Sequence, residues 1–203
     1  MTTIYDQGLV VQPTLGVDWE NFTFQLWGNI TAIEEKGFSN NHELDFILKY
    51  NYSYGDFTFS PSLQLYTYPD DEEAESALEL YLSFDYSLND FTINTTISRE
   101  LKLDIPYLFG THSIAYSKEI GEGFSLNAST GLGWGTKNIN KYYAGVEKDA
   151  INYIFANASV SYSLNEKVSL TPFLESYFIT DSEIKNATNG SLLNFGVNIS
   201  IGF

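Results

Sequence analysis

The stretch from Leu192 to Phe203 constrains the fold more than any other. Leu193, Phe195, Val197, Ile199, Ile201 and Phe203 share one parity, and Asn194, Gly196, Asn198, Ser200 and Gly202 share the other. Strict period two means a β-strand with one apolar face. The content of the second face decides the surroundings. A sheet that shows water one side usually does so with Lys, Glu and Asp, whereas this face carries only Asn, Ser and Gly. Small uncharged polar groups suit the crowded, wet inside of a barrel and leave the apolar face to lipid. The competing reading is the edge strand of a soluble β-sandwich.

The same alternation recurs along the chain. Strands are expected at 2–7, 10–19, 22–32, 44–53, 57–66, 78–86, 91–99, 107–118, 124–134, 154–162 and 168–177, with the terminal stretch closing the count at about twelve. The segment 107–118 is mixed on both parities. Pro61 falls inside a strand, where a bulge is expected because proline cannot donate to a ladder. Connections alternate in length. Glu20-Asn21, Gly55-Asp56, Asn89-Asp90, Gly121 to Gly123 and Asn165 to Lys167 are short, while Glu34 to Asn41, Pro69 to Ser76, Leu101 to Pro106, Thr136 to Asn152 and Thr180 to Gly190 are long. Outer-membrane barrels place short turns in the periplasm and long loops outside. Beside the short turns lie Trp19, Phe22, Tyr54, Phe57, Tyr86, Phe91, Phe124, Tyr162 and Phe203, an aromatic girdle of the kind that forms at a lipid–water interface. Tyr107, Trp134, Tyr153 and Phe178 form a second set near the long loops. The expected fold is all-β, an antiparallel up-and-down transmembrane barrel in one domain spanning residues 1–203, with both termini periplasmic.

Charged residues make up only 18% of the chain, against roughly 25% in average globular proteins. No run approaches the roughly 18 apolar residues of a membrane-spanning helix, and barrels escape that test because every second residue is polar. There is no cysteine, so disulfides and thiolate metal sites are excluded. A net charge of −16 argues against nucleic acid as a partner. No export signal follows Met1, so the sequence reads as a mature form whose first strand lacks its beginning.

Asp70, Asp71, Glu72, Glu73 and Glu75 form an acidic run without the glycine and spacing of a Ca²⁺ loop, and read as a solvated loop. The histidines are His42 and His112. A hydrolase needs a Ser–His pair with an orienting acid, but His112 and Ser113 point to opposite faces of a strand. No catalytic, metal or cofactor site is expected. Parity places Asp45, Lys49, Glu79, Tyr81, Asp85, Glu175 and Tyr177 facing a lumen lined by Ser, Thr, Asn and Gln. Ser125, Asn127, Ser129, Gly131 and Gly133 read as one thin wall of it, with Trp27, Tyr66, Tyr81, Phe173 and Tyr177 as bulky inward groups.

The segments Tyr5-Asp6-Gln7-Gly8-Leu9, Gln12-Pro13 and Leu26-Trp27-Gly28-Asn29-Ile30 resemble the opening of the TorF-type porin family, and Glu79-Leu80-Tyr81, Tyr142 to Val146 and the C-terminal strand fit it more loosely. Gln7 stands where that family usually has Arg. The resemblance implies a bacterial outer-membrane barrel that forms a pore, and it supplies no catalytic residues. The ending on Phe203 likewise resembles the terminal strand that the barrel assembly machinery reads. The expected partners are therefore outer-membrane lipid, that machinery, and small polar solutes or cations. The expected function is a weakly cation-preferring channel for passive diffusion. The alternatives are a closed structural barrel whose outer loops bind a surface partner, and an outer-membrane hydrolase.

Overall fold

The computed structural model describes residues 9–33, 42–70, 74–102, 107–188 and 190–203. The expected first strand at 2–7 lies outside them, as do the whole loop 34–41 and Asp71, Glu72 and Glu73 of the acidic run. The strands are β1 (Leu9–Val11), β2 (Thr14–Trp19), β3 (Phe22–Ile33), β4 (Glu43–Tyr50), β5 (Tyr52–Tyr54), β6 (Phe57–Thr67), β7 (Ala77–Leu88), β8 (Phe91–Glu100), β9 (Leu108–Gly121), β10 (Phe124–Gly135), β11 (Ala150–Ser163), β12 (Val168–Ile179) and β13 (Leu192–Ile201). Among the described residues two helices interrupt the series, α1 (Lys137–Ala144) and α2 (Ser182–Ala187). All thirteen strands belong to one sheet, ordered β1-β3-β4-β6-β7-β8-β9-β10-β11-β12-β13, with β2 on β3 and β5 on β6. Each strand lies beside its neighbour in sequence, so the topology is up-and-down. Because β1 and β2 follow one another along β3, and β4 and β5 along β6, the thirteen segments fill eleven places across the sheet.

Prolines explain both interruptions. Leu15 pairs with Leu26 and Val11 with Ile30, so one register carries across Pro13. Gly28 N–H donates to the Pro13 carbonyl at 3.0 Å, but Pro13 has no N–H to return. Likewise Lys49 pairs with Ser62 and Tyr52 with Phe59, one register across Pro61. The expected bulge at Pro61 is therefore absent. Strand β6 runs straight through, and the break falls on its partner at Asn51, whose side chain accepts from Ser60 Oγ at 2.8 Å.

Burial is inverted relative to a soluble sheet. Asp45, Ser60, Ser62, Glu79, Ser98 and Glu100 are buried, whereas Leu15, Val17, Phe24, Phe46, Val197 and Ile199 are exposed. Phe195 is 84% exposed. In water, each such side chain would forgo about 1.5–3 kcal/mol of burial. A lipid surrounding removes that cost, because the apolar face then meets hydrocarbon.

Packing divides the chain into two compact units, one formed by residues up to Phe84 with Ile97–Leu108, the other by Asp85–Thr96 with Phe109–Phe203. Each is described by itself below.

Candidate functional site

In the first unit the polar sheet face carries a graded set of acids and phenols. Trp27, Asp45 and Tyr66 are direct cross-strand partners on β3, β4 and β6. One step along, Asn29 pairs with Glu43 and accepts from Gln12 Nε2 at 3.0 Å. The Tyr66 hydroxyl lies 2.9 Å from Gln64 Oε1 and 2.7 Å from the Tyr81 hydroxyl. Tyr81 donates to the Glu79 carboxylate, and Tyr107 donates to its other oxygen at 2.6 Å. Glu79 is thus held by two phenols. Glu100 is also buried and accepts from Leu78 N–H at 3.2 Å. Asp45 differs: its Oδ1 is sealed from solvent with no donor among the described residues. Lys49 stands on the same face between Thr23 and Ser62.

In the second unit Asp85 accepts from Asn94 Nδ2 at 2.7 Å. A hydroxyl and amide ribbon crosses four strands, with Ser117 donating to Asn127 at 2.7 Å and Thr171 to Ser161 at 3.0 Å. Glu175 lies between Asn157 and Asn194. Glycine and aromatic residues face each other directly at Gly133–Tyr153, Gly131–Phe155 and Gly196–Phe173. A Cβ at Gly133 would fall 2.3 Å from the Tyr153 ring, and one at Gly196 would fall 2.7 Å from Phe173. Each glycine therefore makes room for the ring across from it. Tyr153 also packs with Phe109, Phe155 and Tyr177, their ring centroids 5.6–6.3 Å apart. The wall expected to be thin at Gly131 and Gly133 is filled by these rings.

The long connections of the second unit hold the two helices. The segment 136–149 contains α1, and strand β11 starts at Ala150, earlier than the expected Ile154. Ile139 and Ile184, one on each helix, are fully buried. Asn140 donates to the Lys148 carbonyl at 2.8 Å and accepts from Asn152 at 2.7 Å. Asp181 caps α2 by accepting from Glu183 N–H at 3.0 Å and Ile184 N–H at 3.1 Å. Lys148 Nζ reaches Asp181 at 2.8 Å and Glu183 at 2.7 Å. The hydrogen bond from Lys148, then the helix-end N–H groups, holds the Asp181 carboxyl below its ordinary value, and the two carboxylates raise Lys148. The capping pattern Asp181-Ser182-Glu183 is the sequence signal that would have located α2.

Two residues of the second aromatic set face the other way from expectation. Tyr107 is buried with its hydroxyl on Glu79, and Tyr153 is buried over Gly133. Trp134 lies on the apolar face, and Phe178 is exposed. Of the girdle beside the short turns, Trp19, Tyr54, Phe57, Phe91, Phe124, Tyr162 and Phe203 are exposed. Trp19 stacks on Phe22 and Phe124 on Tyr162. His112 lies on the apolar face of β9, opposite Leu132, 3.1 Å from Thr95 Oγ1 and accepting from Trp134 Nε1 at 3.2 Å. That polar cluster explains why β9 reads as mixed. His42 pairs with Asp70.

No protein-family model matches the sequence, and no curated protein does. Among solved structures, the chain is similar to a NanC porin in a rhombohedral crystal form, with a TM-score of 0.63, 11% identity, and coverage of 95% of this chain and 92% of that one. The fold is that of a porin. A second porin crystal structure aligns with a TM-score of 0.39 and 10% identity over 93% of this chain and 60% of its own. An exposed apolar face of this kind is the one that β-barrels of the porin fold turn to lipid.

Proposed function

We propose that the chain is an outer-membrane porin-like channel for passive diffusion of small polar solutes, with a weak preference for cations. The observation that carries this reading is the inverted burial: carboxylates, hydroxyls and amides on one sheet face, bare hydrocarbon on the other. On this reading Asp45, Lys49, Glu79, Tyr81, Asp85, Glu175 and Tyr177 line the lumen, and the exposed rings beside the short turns sit at the periplasmic interface. The resemblance to TorF-type porins supports the same assignment, and the alternating apolar face of β13 is what the assembly machinery would read. The NanC likeness supports the architecture. A single-channel recording in a planar bilayer tests the proposal, with discrete conductance steps as the expected result. Their absence would remove it.

A second reading is favoured by a specific observation. Tyr153, Phe155, Phe173 and Tyr177 crowd the polar face of the second unit, and α1 and α2 give its long connections fixed structure. A closed barrel whose outer loops bind a surface partner would show these features too. A hydrolase has no such support, because His112 is held by Thr95 and Trp134 on the apolar face.

A further inference from the structure

In the first unit a groove of about 420 Å³ crosses the apolar face from β2 to β7, past Leu15, Val17, Phe24, Phe46, Leu63 and Leu78, and its lining is apolar except for Gln25. That volume lies within the range of small-ligand sites. Its walls are open to the surroundings, since Leu15, Phe24, Phe46 and Leu63 are all exposed. At the β7 end the same face carries a cation. Ser98 and Glu100 of β8 are buried on the polar face, so Arg99 between them is turned outward, and it is exposed. Leu101 N–H donates to the Leu78 carbonyl at 2.8 Å, which sets Arg99 diagonally across from Leu78. Diagonal neighbours on one face lie roughly 7–8 Å apart, within reach of a long side chain. Among the described residues Arg99 has no ion-pair partner.

We propose that this groove, with Arg99 at its β7 end, binds an acyl lipid that carries a phosphate. An acyl chain matches walls of Leu, Val and Phe. A guanidinium on an apolar face needs an anion, and its planar fork takes two phosphate oxygens at once. One molecule with a hydrocarbon tail and a phosphate head supplies both. A soluble anion would leave the groove empty, and a neutral lipid would leave Arg99 unpaired. Arg99 is the penultimate residue of β8, at the end of that strand away from the short Asn89-Asp90 turn. In an outer-membrane barrel that end faces the outer leaflet, so the head group belongs there and the tail lies deeper along the apolar face. The site is on the outside of the sheet and so goes beyond the channel reading. It rests on the outer-membrane placement in that reading, not on conductance.

The test is native mass spectrometry of the full chain, refolded in detergent and titrated with dipalmitoyl phosphatidic acid or with dipalmitoylglycerol, which has the same two chains and no phosphate. Phosphatidic acid should form a one-to-one adduct at least about tenfold more tightly than dipalmitoylglycerol, as expected for a charge-assisted hydrogen bond. Arg99→Gln should abolish that preference, and Lys118→Gln, on the second unit, should leave it unchanged. Leu63→Trp, which fills the groove, should weaken both lipids. Equal affinity for the two lipids, or an Arg99→Gln protein that folds and keeps the preference, would overturn the site. If Leu63→Trp does not fold, the two lipids and the Arg99 variant decide the matter. Dimers in place of lipid adducts would give the groove to a second copy of the chain and overturn the proposal too. A chain that stays folded and monomeric in water without detergent would remove the membrane placement and the site with it. Absence of conductance with the lipid still bound would remove the channel alone.

Discussion

At the residue scale, glycine placement shows how tightly the polar face of the second unit is filled. A Cβ at Gly131 would lie 2.3 Å from the His112 carbonyl and 2.8 Å from the Phe155 ring. The carbonyl belongs to a ladder strand and cannot swing away as a side chain can. Gly131→Ala should therefore cost about 1–3 kcal/mol, in the range of overpacked cores, read as a lower denaturation midpoint in detergent. Glu20 presents the opposite case. It opens the Glu20-Asn21 turn with φ of 52°, a left-handed conformation that strains a side-chain-bearing residue. Glu20→Gly should stabilise the hairpin by about 1 kcal/mol, raising the same midpoint. Gly55 and Gly123, with φ of 58° and 76°, already supply that freedom in two other short turns.

At the element scale, ion pairs join Lys148, in the segment after α1, to Asp181 and Glu183 at the start of α2. Ile139 and Ile184 are buried without titratable atoms, so pH acts through Lys148 and Asp181. Asp181 has a lowered folded value, so its contribution is full above the ordinary Asp range and is lost as pH falls through the folded value. Lys148 has a raised value, so its contribution is full below the ordinary Lys range and is lost as pH rises through the folded value. The clasp should therefore hold from about pH 4 to about pH 10. Lys148→Met should make the amides of α2 exchange with deuterium several-fold faster at neutral pH while leaving the β10–β11 ladder unchanged. Exchange that stays unaltered would show that Ile139 and Ile184 alone hold the helices. Strand β13 carries a different expectation. Its face of Leu193, Phe195, Val197, Ile199 and Ile201 ends on Phe203, which is fully exposed. Phe203→Ser should slow insertion in the presence of the assembly machinery more than spontaneous refolding in detergent, measured as folded fraction against time.

At the scale of the whole molecule, the acids of the polar face set ion preference if the barrel conducts. A ring of one charge sign selects the opposite ion, and low-dielectric walls focus its field. Asp45, Glu79, Asp85 and Glu175 stand against Lys49 on the proposed lining. Glu79→Gln combined with Glu175→Gln should lower the cation preference, seen as a reversal potential closer to zero under a KCl gradient. Neutralising the run from Asp70 to Glu75 should change little in 1 M salt, where screening acts within about 3 Å. An anion preference in the unaltered protein would overturn the lining assignment. Replacing His42 and His112 together by Gln should leave conductance intact, whereas loss of a measurable lipid hydrolysis in that variant would reveal an enzyme.

The sequence by itself determined the strands, their antiparallel order and which parity is apolar. Period-two patterning and turn chemistry are local, and they survive in any tertiary setting. Leu44, Phe46 and Leu48 could be separated from Asp45 and Lys49 by counting alone. Tertiary structure decided what occupies the polar face. Composition near the long loops suggests an outer girdle for Tyr153, and only cross-strand register sets its ring against Gly133, so that the space the glycine opens is at once filled. Tyr107 lies just before its strand, where no alternation constrains it, and only packing turns its hydroxyl to Glu79. The helices α1 and α2 are short and owe their stability to Ile139, Ile184 and the Lys148 clasp, contacts between segments distant in sequence. The missing donor at Asp45 is of the same kind. Its residue type is written in the chain, but whether it has a partner depends on every side chain that the fold brings around it.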